Sequence, residues 1–314
     1  MKTNYCILRL SGVCLTTVAL LLTSCGTKEF SITSNGENLS TLTKVTDGED
    51  ECSTPFGGDD GKNLFFSVHD GPNRRNIYKK ENAFSASMNQ KTSGENLNMC
   101  PTYSEENKKL AFSGQFQGAD FADIYMMNDA QGKAMIQVTN TPDAEEQYPC
   151  FSPDGKYIVY DKRPGRLDWS NAEIWMKNIE TGENTMLGKG RMPSFSPDGK
   201  SIVFVRYTTD KDYTCLWSMG IDGDNQMQLT DAKLGAVWHP RYSPNGERIV
   251  FDCYKKKKDD VDIYIIDKDG NNLTQLTINQ SYDGQPYWTK DGYIYFVSDR
   301  GGKKENYQIW RFKW

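Results

Sequence analysis

The side chains best suited to chemistry are few and scattered. The 314-residue chain has two histidines, His69 and His239, far apart in sequence. An imidazole-based metal or general-base site would need the fold to bring them together. Glu145, Glu146 and Asp283 could supply the paired carboxylates that act at a glycosidic bond, if their separate loops meet. Gly199-Lys200-Ser201 has the ending of a phosphate-binding loop. That loop needs Gly at position 194, which is Ser, and a helix after it, where a hairpin pattern stands instead. Asp267-Lys268-Asp269-Gly270-Asn271 opens like a calcium loop. Its sixth and twelfth positions, which should be Gly and Glu, are Asn272 and Ile278, so a plain Asp-Gly turn is expected. There is no Gly-x-Ser-x-Gly elbow, no His-Glu-x-x-His helix and no zinc-type cysteine spacing. No catalytic residue, cofactor or metal is expected.

Other polar groups recur in register. Gln147, Arg191, His239 and Gln285 each stand one or two residues before a proline: Pro149, Pro193, Pro240 and Pro286. Each of those prolines opens a hairpin: Tyr148-Pro149-Cys150-Phe151-Ser152-Pro153-Asp154-Gly155, then Pro193 to Gly199, Pro240 to Gly246 and Pro286 to Gly292. The second proline presets φ for the turn, and Asp/Asn-Gly tolerates positive φ. Weaker copies start at Pro101 and Pro55. A second marker runs in phase: Ile77-Tyr78, Ile124-Tyr125, Ile174-Trp175, Leu216-Trp217, Ile263-Tyr264 and Ile309-Trp310. A period of about 45 residues with four short strands per unit predicts an all-β chain, a six-bladed β-propeller of four-stranded antiparallel blades.

Within each blade, strand a carries the first proline, strand b the apolar run, strand c the Ile/Leu-aromatic pair and strand d a Leu-Thr segment. Adjacent strand residues face opposite ways, so each pair on strand c is expected to reach both neighbouring blades. Gly36 to Thr43 matches Gly270 to Thr277 at five of eight positions. The later copy closes its blade as strand d, whereas the chain stops at Trp314 with no such segment behind it. Residues 37 to 43 are therefore expected to complete the last blade, closing the ring between the termini and covering a sheet edge. A single domain, 36–314, follows.

Antiparallel order puts the a–b and c–d turns on one face and the b–c and d–a loops on the other. The first set is stereotyped and the second long and irregular, so function is expected on the b–c/d–a face. Expected partner contacts there are Arg166, Trp169, Arg191, Trp238, His239, Tyr282, Gln147 and Gln285. Two readings stay open for Trp169, folding back on the propeller or anchoring a partner. For His239 they are a packed imidazole or a ligand contact.

Lys2 and Arg9 precede the short apolar run Gly12 to Leu22, too short to span a bilayer. Leu22-Thr23-Ser24-Cys25-Gly26 resembles the lipobox of bacterial lipoproteins. That resemblance implies a signal peptide over 1–24, cleavage before Cys25, acylation of its thiol and a lipidated tether over 25–35. If Cys25 carries lipid, the chain after cleavage keeps five other cysteines, an odd number. A Cys52–Cys100 bridge is conceivable, and buried free thiols are the expectation.

The Phe/Tyr-Ser-Pro-Asp/Asn-Gly-Lys/Glu core and the Ile-Val-Phe/Tyr strand after it resemble the WD-like repeats of the TolB propeller. Similar repeats occur in dipeptidyl-peptidase, tricorn and oligogalacturonate-lyase propellers. The resemblance covers residues 50 to 314. It implies fold more than activity, because the repeat serves unrelated activities. TolB carries an α/β domain ahead of its propeller and the peptidases append a hydrolase; this length leaves room for neither, so a Tol-system role is not expected. The lyases place a histidine cluster on a metal, and two distant histidines do not supply one. The net charge of −5 disfavours nucleic acid. The expectation is a monomeric, non-enzymatic scaffold of the bacterial envelope, lipid-anchored at the outer membrane, that binds an envelope protein or glycan. The alternative is a polysaccharide lyase or glycosidase at the channel mouth.

Overall fold

The computed structural model describes residues 33–34, 41–57, 62–128, 134–165, 168–209, 211, 213–255, 261–302 and 304–314. Among them the regular structure is β, with two short 3-10 turns, Trp169–Asn171 and Ala232–Leu234. The repeating unit is an antiparallel meander. Ala144–Phe151, Tyr157–Pro164, Glu173–Asn178 and Asn184–Lys189 form one four-stranded sheet, and Arg191–Phe195, Ser201–Tyr207, Thr214–Gly220 and Met227–Gln228 the next. A five-stranded sheet holds Ala236–Tyr242, Arg248–Tyr254, Val261–Asp267 and Thr274–Gln275, with Thr33–Ser34 added parallel at its outer edge. An eight-stranded sheet runs from Glu51–Gly57 to Met135–Gln137 and contains two meanders joined by one parallel bridge, Arg75 to Leu97.

The last sheet holds Asp283–Trp288, Tyr293–Ser298 and Gln308–Lys313, and its fourth strand is Thr43–Lys44, antiparallel to Gln308–Lys313. Thr43, the end of the expected segment 37–43, thus pairs with the last strand, and 37–40 lie outside the described residues. The Val45 amide donates to Ile309 O at 2.8 Å, and the Thr46 hydroxyl accepts the Ile309 amide at 2.8 Å. The hydroxyls of Thr92, Thr139, Thr230 and Thr277 accept from Ile77, Ile124, Leu216 and Ile263 in the same way at 2.8–2.9 Å. Thr46, not Thr43, therefore occupies the position of Thr277. The expected register was three residues early because the Leu-Thr pairs were matched. Lys44-Val45-Thr46 aligns instead with Gln137-Val138-Thr139 and Gln275-Leu276-Thr277.

Apolar side chains fill the seams between sheets. Ile174 packs with Phe204 and Ile202 on one side, while its neighbour Trp175 packs with Ala111 and Met126 on the other. Ile263 and Tyr264 divide in the same manner, as do Leu216 and Trp217. This is the period-2 alternation of a strand buried on both faces. One seam joins the last sheet to the first, with Val45, Tyr295 and Ile309 against Cys52, Leu64 and Phe66. Cys52, Cys100, Cys150, Cys215 and Cys253 are buried free thiols. Burial pushes the Cys52 thiol up to about 11, which keeps it inert.

Candidate ligand-binding channel

The a strands converge on an axis. In each, the residue before the first proline is left-handed: Thr54, Cys100, Tyr148, Met192, His239 and Gln285 have φ between 49° and 55°. A proline disfavours the right-handed helical region for its predecessor, and positive φ costs a non-glycine residue about 1–3 kcal/mol. Each such residue sits in a β-bulge, where the ladder slips between strands a and b. The bulge turns its amide toward the axis, where it finds an acceptor on the preceding sheet. Met192 N–H donates to Asp161 at 2.9 Å, Gln285 N–H to Asp252 at 3.3 Å and Thr54 N–H to the Gln285 side chain at 2.6 Å. His239 N–H reaches the Met192 sulfur at 3.5 Å. These bonds run one way round the axis and help hold the strained backbone.

The same residues and their prolines line a waist of about 30 Å³, room for roughly two water molecules. Wider cavities lie at both ends. At the turn end, about 310 Å³ is lined by a recurring set of Ser-Pro turns, with Ser152, Ser196 and Ser243, together with Glu105, Glu106, Arg241, Trp288 and Lys290. The serine hydroxyls are committed to the turns: Ser152 donates to Asp154 at 2.6 Å and accepts Tyr157 N–H at 2.9 Å, and Ser196 repeats this with Asp198 and Ser201. At the loop end, about 270 Å³ is lined by unlike groups, among them Glu51, His69, Arg75, Gln147, Tyr148, Tyr282, Gln285 and Tyr307.

The remainder of the loop end is closed by a packed cluster. Trp169 lies on the b–c loop of its sheet, in a turn capped by Asp168. Its ring centroid is 3.7 Å from the Arg191 guanidinium and 4.1 Å from that of Arg163. Trp169 thus folds back on the propeller while staying half-buried. Arg191 is buried, pairs with Asp161 at 3.5 Å and lies 5.9 Å from the rings of Tyr148 and Trp238. Burial pushes Asp161 up to about 6, against the opposing pull of Arg191 and the Met192 amide. His239 is positioned by Asp252 at 2.9 Å and faces the Tyr148 hydroxyl at 3.4 Å, so it is a packed imidazole at the waist. Burial raises the Tyr148 and Tyr282 phenols above their ordinary range.

Of the expected contacts, Gln147, Tyr282 and Gln285 line the loop-end cavity, and Trp169, Arg191, Trp238 and His239 form the plug beside it. Arg166 and Cys25 lie outside the described residues. The three carboxylates considered for catalysis do not share a site. Glu145 pairs with Arg163 at 3.5 Å. Glu146 is fully buried in a seam, bonded to Thr141 at 2.9 Å and 3.7 Å from Lys162, and burial pushes it up to about 7. Asp283 is fully buried and bonded to Arg300, Ser298 and Asn279. Among the described residues no three His, Cys, Asp or Glu side chains cluster as metal ligands would. Sequence reasoning missed Arg75, His69, Tyr148 and Tyr307. The signal for Tyr148 was present, since it precedes Pro149 as His239 precedes Pro240.

The family model described as the TolB beta propeller domain matches residues 35–236 and 231–313. The chain belongs to the TolB beta propeller domain family. The Tol-Pal system protein TolB of Francisella tularensis subsp. mediasiatica (strain FSC147) is 25% identical over 248 residues, 65% of this chain and 56% of that protein. The chain thus spans about half the length of the curated relatives it matches. A putative TolB from Agrobacterium tumefaciens superposes with a TM-score of 0.64 at 21% identity, covering 87% of this chain and 96% of that one. An oligogalacturonate lyase from Vibrio parahaemolyticus superposes with a TM-score of 0.58 at 14% identity, covering 87% and 93%. At these identities the structural likeness shows a shared propeller fold alone.

Proposed function

We propose that this TolB-type propeller is a non-enzymatic binding scaffold of the bacterial envelope that docks a partner protein on its b–c/d–a face. The observation that carries this reading is the contrast between the two ends of the channel. One end repeats the same Ser-Pro-Asp/Asn-Gly hydroxyls, and a ring of like groups discriminates little. The other presents unlike side chains from four of the meanders, the first three and the last, around a cavity that narrows to the waist, as selective recognition requires. The relatives' name, Tol-Pal system protein, accords with a protein partner. The full reading is a six-bladed ring over 36–314 whose last blade is completed by the strand at Thr43–Lys44. A signal peptide over 1–24, acylation at Cys25 and a tether to residue 35 place it on the envelope.

Two measurements test this. Capture from detergent-solubilised envelope should be lost with the exposed pair Lys211→Glu and Lys233→Glu on the loop face. It should survive Glu180→Lys with Asp269→Lys on the turn face; loss from that second pair alone sinks the assignment. Arg191 is unsuitable for charge reversal because it is buried against Asp161. For the anchor, Cys25→Ser should move the protein from the membrane fraction to the soluble one, and an unchanged distribution would exclude the lipid.

A further inference from the structure

We infer that the loop-end cavity is a socket for an acidic side chain of a protein partner, with Arg75 as its anchor. This rests on the docking face proposed above and adds the chemistry of what enters it.

Arg75 lines the cavity from strand c of the first sheet. Its guanidinium makes no ion pair among the described residues; its side-chain contact is one Nη1 to the Met99 sulfur at 3.5 Å. A thioether is a weak acceptor, so most of the planar five-donor fork is uncommitted. The other arginines around the channel mouth are engaged: Arg191 with Asp161, Arg163 with Glu145 and Arg300 with Asp283. Arg74, next in sequence, is held by Asp70 at 2.8 Å. The one acid lining the cavity, Glu51, lies 3.6 Å from His69. What the cavity lacks is a carboxylate for Arg75, and a carboxylate matches a guanidinium bidentately.

Shape decides between a peptide and a glycan as the source. The socket of about 270 Å³ ends at a waist of about 30 Å³. A side chain projecting from a loop can enter a blind socket, whereas a polymeric sugar needs a groove that runs through. The aromatic rings are also committed to each other: Tyr282 and Tyr307 meet edge to face at 5.2 Å, and Tyr148 sits against His239 at 5.7 Å. Among the described residues these cavity tyrosines pack on other rings rather than standing as isolated platforms for a sugar.

The test is calorimetric titration of the full mature chain at low salt with three probes: hexa-L-glutamate, hexa-L-glutamine and trigalacturonate. Hexaglutamate is expected to bind saturably despite the protein's own negative charge, with hexaglutamine silent. Arg75→Gln should weaken it by about tenfold or more with an unchanged melting temperature, and Arg75→Lys should restore part of the affinity. Absence of saturable hexaglutamate binding, or equal binding by Arg75→Gln, overturns the proposal. Tighter binding of trigalacturonate would overturn the peptide assignment and give the socket to a uronate glycan. The outcomes separate from those of the docking face: a partner lost with Lys211→Glu and Lys233→Glu but kept by Arg75→Gln upholds the face and removes the socket.

Discussion

Removal of residues 1–46 is expected to lower the melting temperature by about 10–20 °C and to make the protein prone to aggregate. The strand lost carries Val45, which is 4% exposed in the seam between the last and first sheets. It also carries the paired bonds of Val45 and Thr46 to Ile309 and the acceptor for Lys80, whose ammonium donates to Val45 O at 2.6 Å. Burial of one valine and three to four hydrogen bonds amount to about 5 kcal/mol, which in a domain of this size is about 10–20 °C. The bare edge of Gln308–Lys313 would then offer unpaired amides and carbonyls to another chain. Deletion of residues 1–32 serves as the control and should leave the melting temperature unchanged. Val45→Asp should reproduce most of the loss, because Val45 is the buried residue next to the paired strand. If the 1–46 deletion melts like the parent, the terminal strand does not secure the last sheet.

The repeat architecture was legible because packing between sheets imposes one pattern on every unit. Ile263-Tyr264 and its counterparts must present one side chain to each neighbouring seam, so the pair recurs wherever strand c recurs. The Asp-Gly turns were legible for a similar reason: Gly155 and Gly199 hold positive φ at 67° and 69°, and few residues tolerate that. The register of the terminal strand was less so. Leu42-Thr43 and Val45-Thr46 both fit the segment, and only the hydroxyl bond to Ile309 separates them. The channel was half legible. Position before the proline marked His239 and Gln285 for the axis, yet nothing in the local pattern says that Trp169 carries two guanidinium groups or that Asp161 takes the Met192 amide. Those contacts join different sheets and depend on loops that the repeat does not constrain. Arg75 was invisible for the same reason, since its lack of a carboxylate is a property of the assembled channel.

Arg191→Met is expected to destabilise the fold by about 3–5 kcal/mol at pH 8, the range for a buried charge that loses its partner, and by distinctly less at pH 5. Asp161 is fully buried, and its remaining support would be the Met192 amide at 2.9 Å. Its carboxyl already stands above its ordinary value, at about 6, because burial outweighs the attraction of Arg191. A carboxyl raised in the folded state favours folding most below its unfolded value, and that advantage is lost as pH rises through the folded value. Removing Arg191 takes away the main attraction holding that value down, so the carboxyl should rise further. At pH 5 it then carries a proton and the missing guanidinium matters little; at pH 8 folding must either keep a bare buried charge or bind a proton from dilute solution. Asp161→Asn in the same chain removes that charge and should recover most of the loss at pH 8 while adding little at pH 5. Denaturant melts of the single and double variants at the two pH values measure this. An equal cost for Arg191→Met at both, or a double variant no more stable than the single, would show that Arg191 contributes through its packing on Trp169 rather than through Asp161.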